Sequence, residues 1–222
     1  MFDDGLSSVY TEALPLLENH GYKANVAISA SKINKRGFLD ENQIKELLSS
    51  RWALSDHTYS HLNLAKASPQ AVKADIALNR DLIQRMFEYS FKDFVIPKSK
   101  MRAATLDVVF SYYPVALTGT RMITGNEINR KSRLLLRTEI ALYEILLHGS
   151  RWVSFVKALN SYLKKLAVNR PEEWFIVFTH GVSMIPRPFD FPKPLFRSLL
   201  NTVETYELPI ATTEHALRFL NN

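Results

Sequence analysis

The residues best suited to chemistry are two histidines four positions apart, His57 and His61, in the stretch Asp56-His57-Thr58-Tyr59-Ser60-His61. On one turn of helix, or on a loop that runs into one, this spacing points both imidazole rings the same way, so they can share a divalent metal. A catalytic zinc usually takes three protein ligands and leaves a position for water. A third ligand must therefore come from elsewhere in the chain, and an acidic oxygen is the first expectation.

Two more polar stretches could complete such a site: Phe2-Asp3-Asp4-Gly5 at the beginning of the chain, and His180 after an apolar run. Each has an ordinary structural explanation when taken alone. Asp-Asp-Gly is most often a surface turn, a histidine pair also serves in ion pairs or in a core, and a single histidine is commonly buried and hydrogen-bonded. Their positions at the ends of predicted elements favour one shared site.

The elements that must position these residues alternate between strand and helix patterns. The predicted strands are 26–30, 52–54, 94–96, 115–117, 174–178 and 208–211. Helices are predicted through Val9 and Leu17, from Asp40 to Leu48, from Ser68 to Met86, over 102–111 and 153–168, through Leu199 and Val203, and after Thr213 as N-cap. Residues 134–147 fit either a strand followed by a helix or one helix. The alternation predicts a parallel α/β sheet or barrel, in which polar residues that follow strands share one face.

Composition limits the classes of partner. The 222 residues suit one domain over 1–222, and the absence of cysteine excludes disulfides and thiolate metal sites. A net charge of +6 favours an anionic partner such as an acidic glycan, a phospholipid surface or nucleic acid, although no nucleic-acid motif accompanies it. No apolar run reaches the ~18 residues of a membrane span and no signal segment is visible, which predicts a cytoplasmic protein if Met1 is the true start.

The order of these motifs resembles the polysaccharide deacetylases, carbohydrate esterase family 4. That family carries a Thr-Phe-Asp-Asp-Gly motif, a His-Ser/Thr-x-x-His motif and a late Leu-x-His motif, which correspond here to Phe2-Asp3-Asp4-Gly5, His57-Thr58-Tyr59-Ser60-His61 and the strand that ends at His180. The stretches 16–24 and 94–97 also fit the family. The resemblance implies a distorted (β/α)7-type barrel whose first strand is missing or truncated here, because only Met1 and Phe2 precede Asp3.

The resemblance also implies a role for each site residue. Asp4, His57 and His61 would bind a divalent metal, with zinc as the first candidate, whose bound water is the nucleophile. Asp3 would be the general base and His180 the general acid that protonates the departing amine.

Three features depart from the family pattern. Lys98-Ser99 follow Pro97 where the family has Tyr-Gly, so that Lys98 is either a solvated lysine or a contact for an anionic sugar. Gly181 follows the last histidine where an aspartate is common. The Asp-x-x-Asp-Trp element is not visible. Since an arginine often follows this segment in relatives, the resemblance implies that Arg137, or else Arg133, orients Asp3.

The leading hypothesis from the sequence is a metal-dependent hydrolase that removes the N-acetyl group of an N-acetylated sugar during bacterial surface-glycan or lipopolysaccharide biosynthesis. A lipid-linked sugar precursor near a membrane surface would suit the basic charge. Two alternatives remain open: a non-catalytic glycan-binding or scaffold protein that keeps the fold, and a hydrolase of a non-sugar amide. Nucleic-acid binding rests on charge alone.

Overall fold

Six parallel strands form the central sheet of the protein. The computed structural model describes residues 1–120, 126–127, 133–140, 150–169 and 173–221. The strands of the described chain are β1 Asn25–Ile28, β2 Ala53–Asp56, β3 Phe94–Val95, β4 Ala116–Thr120, β5 Asn126–Glu127, β6 Leu134–Glu139, β7 Glu173–Trp174, β8 Val177–Phe178, β9 Gly181–Ser183 and β10 Asp190–Pro192. The central sheet has the order β1-β2-β3-β4-β6-β8, while β9 pairs with β10 and β5 pairs with β7.

Helices alternate with these strands, as the sequence predicts. In the described part of the chain they are α1 Leu14–Asn19, α2 Glu41–Ser49, α3 Pro69–Phe87, α4 Ala103–Tyr112, α5 Ser150–Asn169, α6 Lys193–Thr205 and α7 Thr213–Asn221, with a π-helical turn, Val9–Ala13, before α1. None of the helices in these ranges combines the length and apolarity that a membrane crossing requires.

Local capping explains where the second and third helices begin. The Asp40 carboxylate accepts a hydrogen bond from the Gln43 backbone N–H at 2.9 Å, and the Gln43 side chain accepts one in return from the Asp40 N–H at 3.1 Å. This reciprocal pair satisfies two backbone donors at the start of α2. Ser68 accepts from the Ala71 N–H at 3.1 Å before Pro69 opens α3.

The first residues of the chain bridge the two edges of the central sheet. Phe2 forms parallel bridges to Val26 in β1 and to Thr179, directly after β8. The Phe2 N–H donates to Asn25 O at 2.9 Å, and the Asp3 N–H donates to Thr179 O at 2.9 Å. The predicted truncated first strand is therefore present as a short bridging segment, residues 1–3, that carries Asp3 into the sheet.

Alternation along the strands separates two apolar cores. Val26 and Ile28 of β1 belong to the larger core under the helices, whereas Ala27 between them belongs to a smaller core inside the curl of the sheet. Leu135 of β6 lies in the same inner core, and Arg137, two residues later, is fully buried. Side chains at i and i+2 lie on the same face of a strand, so Arg137 faces the inside of the curled sheet as Leu135 does. The inner face of the sheet therefore carries a polar residue next to its apolar ones.

Several predicted boundaries need correction. Residues 208–211, predicted as a strand, form none, and the Leu208 N–H instead donates to Val203 O at the end of α6. The predicted strand 174–178 is divided between β7 and β8, which pair with different neighbours. Thr212 rather than Thr213 caps α7, since its hydroxyl accepts from the His215 N–H at 3.3 Å. Residues 134–139 are a strand, and 141–149 lie outside the described residues.

Truncation of Phe2 tests the bridging segment. The Phe2 side chain is 2% exposed and stacks on Trp52 with ring centroids 6.0 Å apart. Phe2→Ala should lower the free energy of unfolding by about 3 to 5 kcal/mol, because it leaves a cavity between the two edges. Ile185→Ala is the control, since Ile185 is 88% exposed and surface changes usually stay within about 0.5 kcal/mol. Equal losses in urea unfolding would contradict this account of the segment.

Candidate metal and catalytic site

Asp4, His57 and His61 converge at the carboxyl end of the sheet. Their ligand atoms all lie within 4.8 Å of one another. Asp4 Oδ1 lies 3.2 Å from His61 Nε2 and 3.6 Å from His57 Nε2. The structure therefore brings together the three residues expected to bind a metal, although they come from two separate stretches of the chain.

The spacing of these atoms fits a small divalent ion. Ligands about 2.1 Å from a tetrahedral zinc lie about 3.4 Å from one another, close to the separations of Asp4 Oδ1 from the two imidazole nitrogens. One carboxylate and two imidazoles also form the donor set of several catalytic zinc sites, which leave a position for water.

The His57 ring is held in the orientation that a ligand needs. Its Nδ1 lies 2.7 Å from the carbonyl oxygen of Val95, which requires a proton on Nδ1 and leaves a lone pair on Nε2 facing Asp4. Burial lowers the pKa of His57, and burial together with the neighbouring His57 lowers the pKa of His61 to about 4. Both rings are therefore neutral at pH 7, as metal binding requires.

The backbone has positive φ at two of the candidate ligands and at Thr58, which lies between the two histidines. Asp4, Thr58 and His61 have φ of 72°, 59° and 58°, a region that costs a residue with a side chain about 1 to 2 kcal/mol. Surrounding contacts must hold these residues in place, as is common at functional sites.

A buried network below the histidine loop provides such contacts. Asp56 accepts hydrogen bonds from the Thr58 N–H at 2.8 Å, from Asn79 Nδ2 at 2.7 Å and from the Tyr113 hydroxyl. Burial raises the pKa of Asp56 to about 6, although these three donors favour the charged form. Asn79 also donates to Ile28 O at 3.0 Å, so one amide connects α3 with the ends of β1 and β2.

Sequence reasoning missed Asn79, yet a signal was available. Asn79 occupies the buried stripe of α3 together with Val72, Ile76 and Ile83. A polar residue on an apolar helical face must find a buried partner, and the aspartate directly before His57 is that partner.

Asp3 and Arg137 form a buried ion pair beside the three candidate metal ligands. Arg137 Nη1 lies 2.6 Å from Asp3 Oδ1 and Nη2 lies 3.0 Å from Oδ2, a two-point contact. The guanidinium also lies over the Phe178 ring, 4.1 Å from its centroid. Burial would raise the pKa of Asp3, but the charges of Arg137 and His57 outweigh it and hold the pKa at about 2. Asp3 is therefore ionised at neutral pH.

Arg133, the second candidate for orienting Asp3, has a different role. Its guanidinium donates to the carbonyl oxygens of Phe110, Tyr113 and Pro114 at 2.7 to 2.9 Å. It caps the C-terminal end of α4, where cations are favourable.

His180 is placed next to Asp3 by the strand pairing. It follows Thr179, whose carbonyl oxygen accepts from the Asp3 N–H, and the charge of His180 contributes to the lowered pKa of Asp3. Its ring lies beside Phe178 and Phe189, with centroids 6.2 and 5.2 Å away. The buried Nδ1 atom has no hydrogen-bond partner among the described residues.

The environment of Gly181 explains why no aspartate follows His180. A Cβ atom at Gly181 would lie 2.5 Å from Ser8 Oγ and 2.7 Å from Asp190 Oδ1. Asp190 is 2% exposed and accepts hydrogen bonds from the Arg187 backbone N–H and side chain. A carboxylate therefore does lie next to residue 181, but it belongs to Asp190 of β10.

Lysines border the site on two sides. Lys32 Nζ lies 2.8 Å from Asp4 Oδ1, a contact that sequence reasoning missed because an ordinary lysine in a polar loop gives no signal. Lys98 is exposed, and its charge contributes to the low pKa of His61. The adjacent Ser99 hydroxyl accepts a hydrogen bond from the Gly119 N–H at 2.8 Å. The serine that replaces the family's glycine therefore contacts the backbone of β4.

Comparison with known proteins agrees with the fold and the motifs. Residues 1–112 match the family model described as polysaccharide deacetylase. YxkH of Bacillus subtilis (strain 168), a polysaccharide deacetylase by name, is 30% identical over 105 residues, which are 47% of this chain and 38% of YxkH. The match therefore spans well under half of that relative.

Solved structures share the fold at low identity. The Xyl-CE4 domain of a multidomain xylanase from the hindgut metagenome of Trinervitermes trinervoides aligns with a TM-score of 0.62 at 16% identity, over 98% of this chain and 87% of that one. The Streptococcus pyogenes deacetylase PplD gives 0.55 at 20% identity, over 63% and 62%. A mutant CE4 family pseudoenzyme with restored activity gives 0.63 at 11% identity, over 97% and 65%. The predicted (β/α)7-type barrel class is confirmed.

Replacement of Arg137 tests the buried ion pair. Arg137→Met should lower the free energy of unfolding at pH 7 by about 3 to 5 kcal/mol, because the Asp3 charge stays buried without its partner. Arg85→Met is the matched control: Arg85 pairs with Asp81 on the surface, with side chains 65% and 55% exposed, and such a pair contributes about 0 to 1 kcal/mol.

The pH dependence of this loss separates charge from packing. Since folding lowers the pKa of Asp3 from 3.8 to about 2, the stabilisation is complete above pH 3.8 and disappears as the pH falls towards 2. In Arg137→Met burial is no longer offset and raises the pKa of Asp3, so the difference between wild type and variant should shrink as the pH falls from neutral towards 2 in denaturant titrations. A difference independent of pH would show that packing, not the ion pair, is lost.

Proposed function

Because this chain belongs to the polysaccharide deacetylase family, we propose that it is a metal-dependent hydrolase that removes the acetyl group from an N-acetylated sugar. The observation that carries the proposal is the convergence of Asp4, His57 and His61 within 4.8 Å, next to the buried carboxylate of Asp3 and the ring of His180. A ligand set, an ionised acid and a histidine at one edge of the sheet are the parts that amide hydrolysis needs.

A bound divalent metal, with zinc as the first candidate, would make water a nucleophile near neutral pH and polarise the acetyl carbonyl. Asp3, ionised and fixed by Arg137, accepts the proton of the attacking water. His180 donates a proton to the sugar nitrogen as the carbon–nitrogen bond breaks, since an unprotonated amide nitrogen leaves poorly. The aromatic rings of Phe178 and Phe189 lie beside the His180 ring.

For the substrate, we propose an N-acetylated glycan or lipid-linked precursor of a bacterial surface polysaccharide or lipopolysaccharide, handled at a membrane surface. A loop next to His180 supports contact with a membrane. Met184, Ile185 and Phe189, between β9 and β10, are 66%, 88% and 53% exposed, and exposed apolar side chains clustered in one loop mark interaction sites.

Positive charge supports an anionic bilayer as the surface that this loop meets. Lys98 is exposed, and its charge acts on His61. The side chain of Arg187, in the same loop as the apolar side chains, is 60% exposed and is paired with Asp190 through Nε only. The chain as a whole carries a net charge of +6. An apolar tip with basic neighbours matches the interface of anionic lipid, where each cation adds about 1 kcal/mol.

Two alternatives remain. A non-catalytic glycan-binding protein would agree with Lys98-Ser99 in place of the family's Tyr-Gly and with the pseudoenzyme among the structural matches. The presence of both Asp3 and His180 favours the enzyme, because a binding protein has no physical need for an acid and a base. A hydrolase of a non-sugar amide would use the same residues, and substrate profiling separates it from a sugar deacetylase.

Separate variants test metal binding and chemistry. His61→Ala should abolish stoichiometric zinc binding and acetate release from N-acetylated chitooligosaccharides. Asp3→Asn should keep zinc but lose about 10²- to 10⁴-fold in kcat, because proton acceptance is removed. If the purified protein binds no divalent metal, or if His61→Ala changes neither metal content nor acetate release, the enzyme proposal fails.

Vesicle binding tests the membrane contact. Co-sedimentation with vesicles of mixed phosphatidylglycerol and phosphatidylcholine should fall about 10-fold or more in a Met184→Ser, Ile185→Ser double variant, given the apolar area withdrawn from the bilayer. Val168→Ser is the control, since Val168 is 71% exposed on α5. Equal binding by the double variant and the control, or no binding by the wild type, would contradict this contact.

A further inference from the structure

Lys32 places a positive charge against the oxygen that would bind the metal. Its Nζ atom lies 2.8 Å from Asp4 Oδ1, and this is the oxygen that faces both His57 Nε2 and His61 Nε2. The side chains of Lys32 and Asp4 are each 21% exposed, so solvent screens the contact only partly. An ammonium group has three donors and no acceptor, and it therefore opposes a bound cation instead of ligating it.

The fold holds Lys32 in this place. It ends a 3₁₀ turn, Ala30–Lys32, directly after β1. The turn begins at Ala30, whose N–H donates to Asn79 Oδ1 at 2.8 Å, and its Lys32 N–H donates to Ser29 O at 2.9 Å. Lys32 Nζ also lies 5.3 Å from the ring centroid of Phe38, a favourable cation–π separation.

The charges around the ligands show what Lys32 changes. Asp3 is neutralised by Arg137 at 2.6 Å, so Asp4 supplies the charge that attracts a divalent cation. Lys32 cancels that charge at 2.8 Å. Affinity for divalent cations depends on the charge count of the ligands, and an ammonium group beside the carboxylate repels a cation bound to it.

We propose that Lys32 lowers the affinity of the site for its divalent metal by competing for the Asp4 carboxylate. This inference rests on the proposed metal site. Lys32 is a positioning and tuning residue, which acts on the reaction only through Asp4.

Zinc affinity, measured by competition with a chromogenic chelator in the absence of substrate, tests the proposal. Lys32→Met removes the charge and the donor, while Lys32→Gln removes the charge and keeps a donor. Both should bind zinc about 10-fold or more tightly than the wild type, the scale expected for removing a unit charge within a few ångströms of the ion. Lys35→Met is the matched control: it removes an exposed lysine from the same loop and should leave the affinity unchanged.

Other results would overturn the inference. Unchanged affinity in both Lys32 variants would show that its charge does not reach the metal. Weaker binding by Lys32→Met with recovery in Lys32→Gln would show that Lys32 only orients Asp4. Circular dichroism and thermal unfolding confirm that each variant is folded. If the wild type itself binds no metal, the proposed function fails, whereas metal binding that is insensitive to Lys32 refutes the tuning role alone.

Discussion

The backbone hydrogen bonds that hold residues 1–3 between β1 and the end of β8 are the contacts on which the site depends. They fix Phe2 between Asn25 and Thr179. The next two residues are Asp3, which lies beside His180, and Asp4, which lies beside the histidine pair. The chain is nearly extended up to Asp3 and then turns at Asp4, where φ is 72°. Consecutive carboxylates are thereby directed to different partners, one to an arginine and one to the imidazoles.

Burial decides how these charges are arranged. A carboxylate taken out of water needs a partner, and each acid of the site has one: Arg137 for Asp3, and Lys32 for Asp4. The arrangement keeps Asp3 ionised and the histidines neutral at pH 7, which are the protonation states that a base and metal ligands need. The same burial makes the site sensitive to loss of any one partner, because the remaining charge would stay in a region of low dielectric.

Sequence patterns predicted the parts of this structure that follow from local rules. Alternating strands and helices gave the fold class, and helix starts such as Asp40 and Ser68 followed from capping chemistry. The four-residue spacing of His57 and His61 predicted a shared direction, which the structure achieves on a loop with left-handed residues instead of on a helix. The choice of Arg137 over Arg133 as the partner of Asp3 came from a resemblance, and the position along β6 explains it. Both residues have the parity of the inward-facing Leu135, but Arg133 precedes the strand at its amino end, whereas Arg137 lies towards the carboxyl end, where Asp3 is.

The remainder depended on contacts between distant segments. Lys32 meets Asp4 only because the turn after β1 lies over the first residues of the chain, and no local pattern encodes that approach. Residues 208–211 are apolar enough for a strand but form none, while residues 1–3 bridge both edge strands of the central sheet. Which segment pairs with an edge strand depends on the whole sheet. The local sequence of a few residues is therefore not enough to predict it.

The central claim is that Asp4, His57 and His61 hold one divalent ion. X-ray absorption spectroscopy at the zinc edge of the zinc-loaded protein tests it most directly. The account predicts scattering from two imidazole rings and from oxygen donors at about 2.0 to 2.1 Å, with one imidazole lost in His57→Ala. Zinc without imidazole scattering, or a spectrum unchanged by His57→Ala, would contradict it.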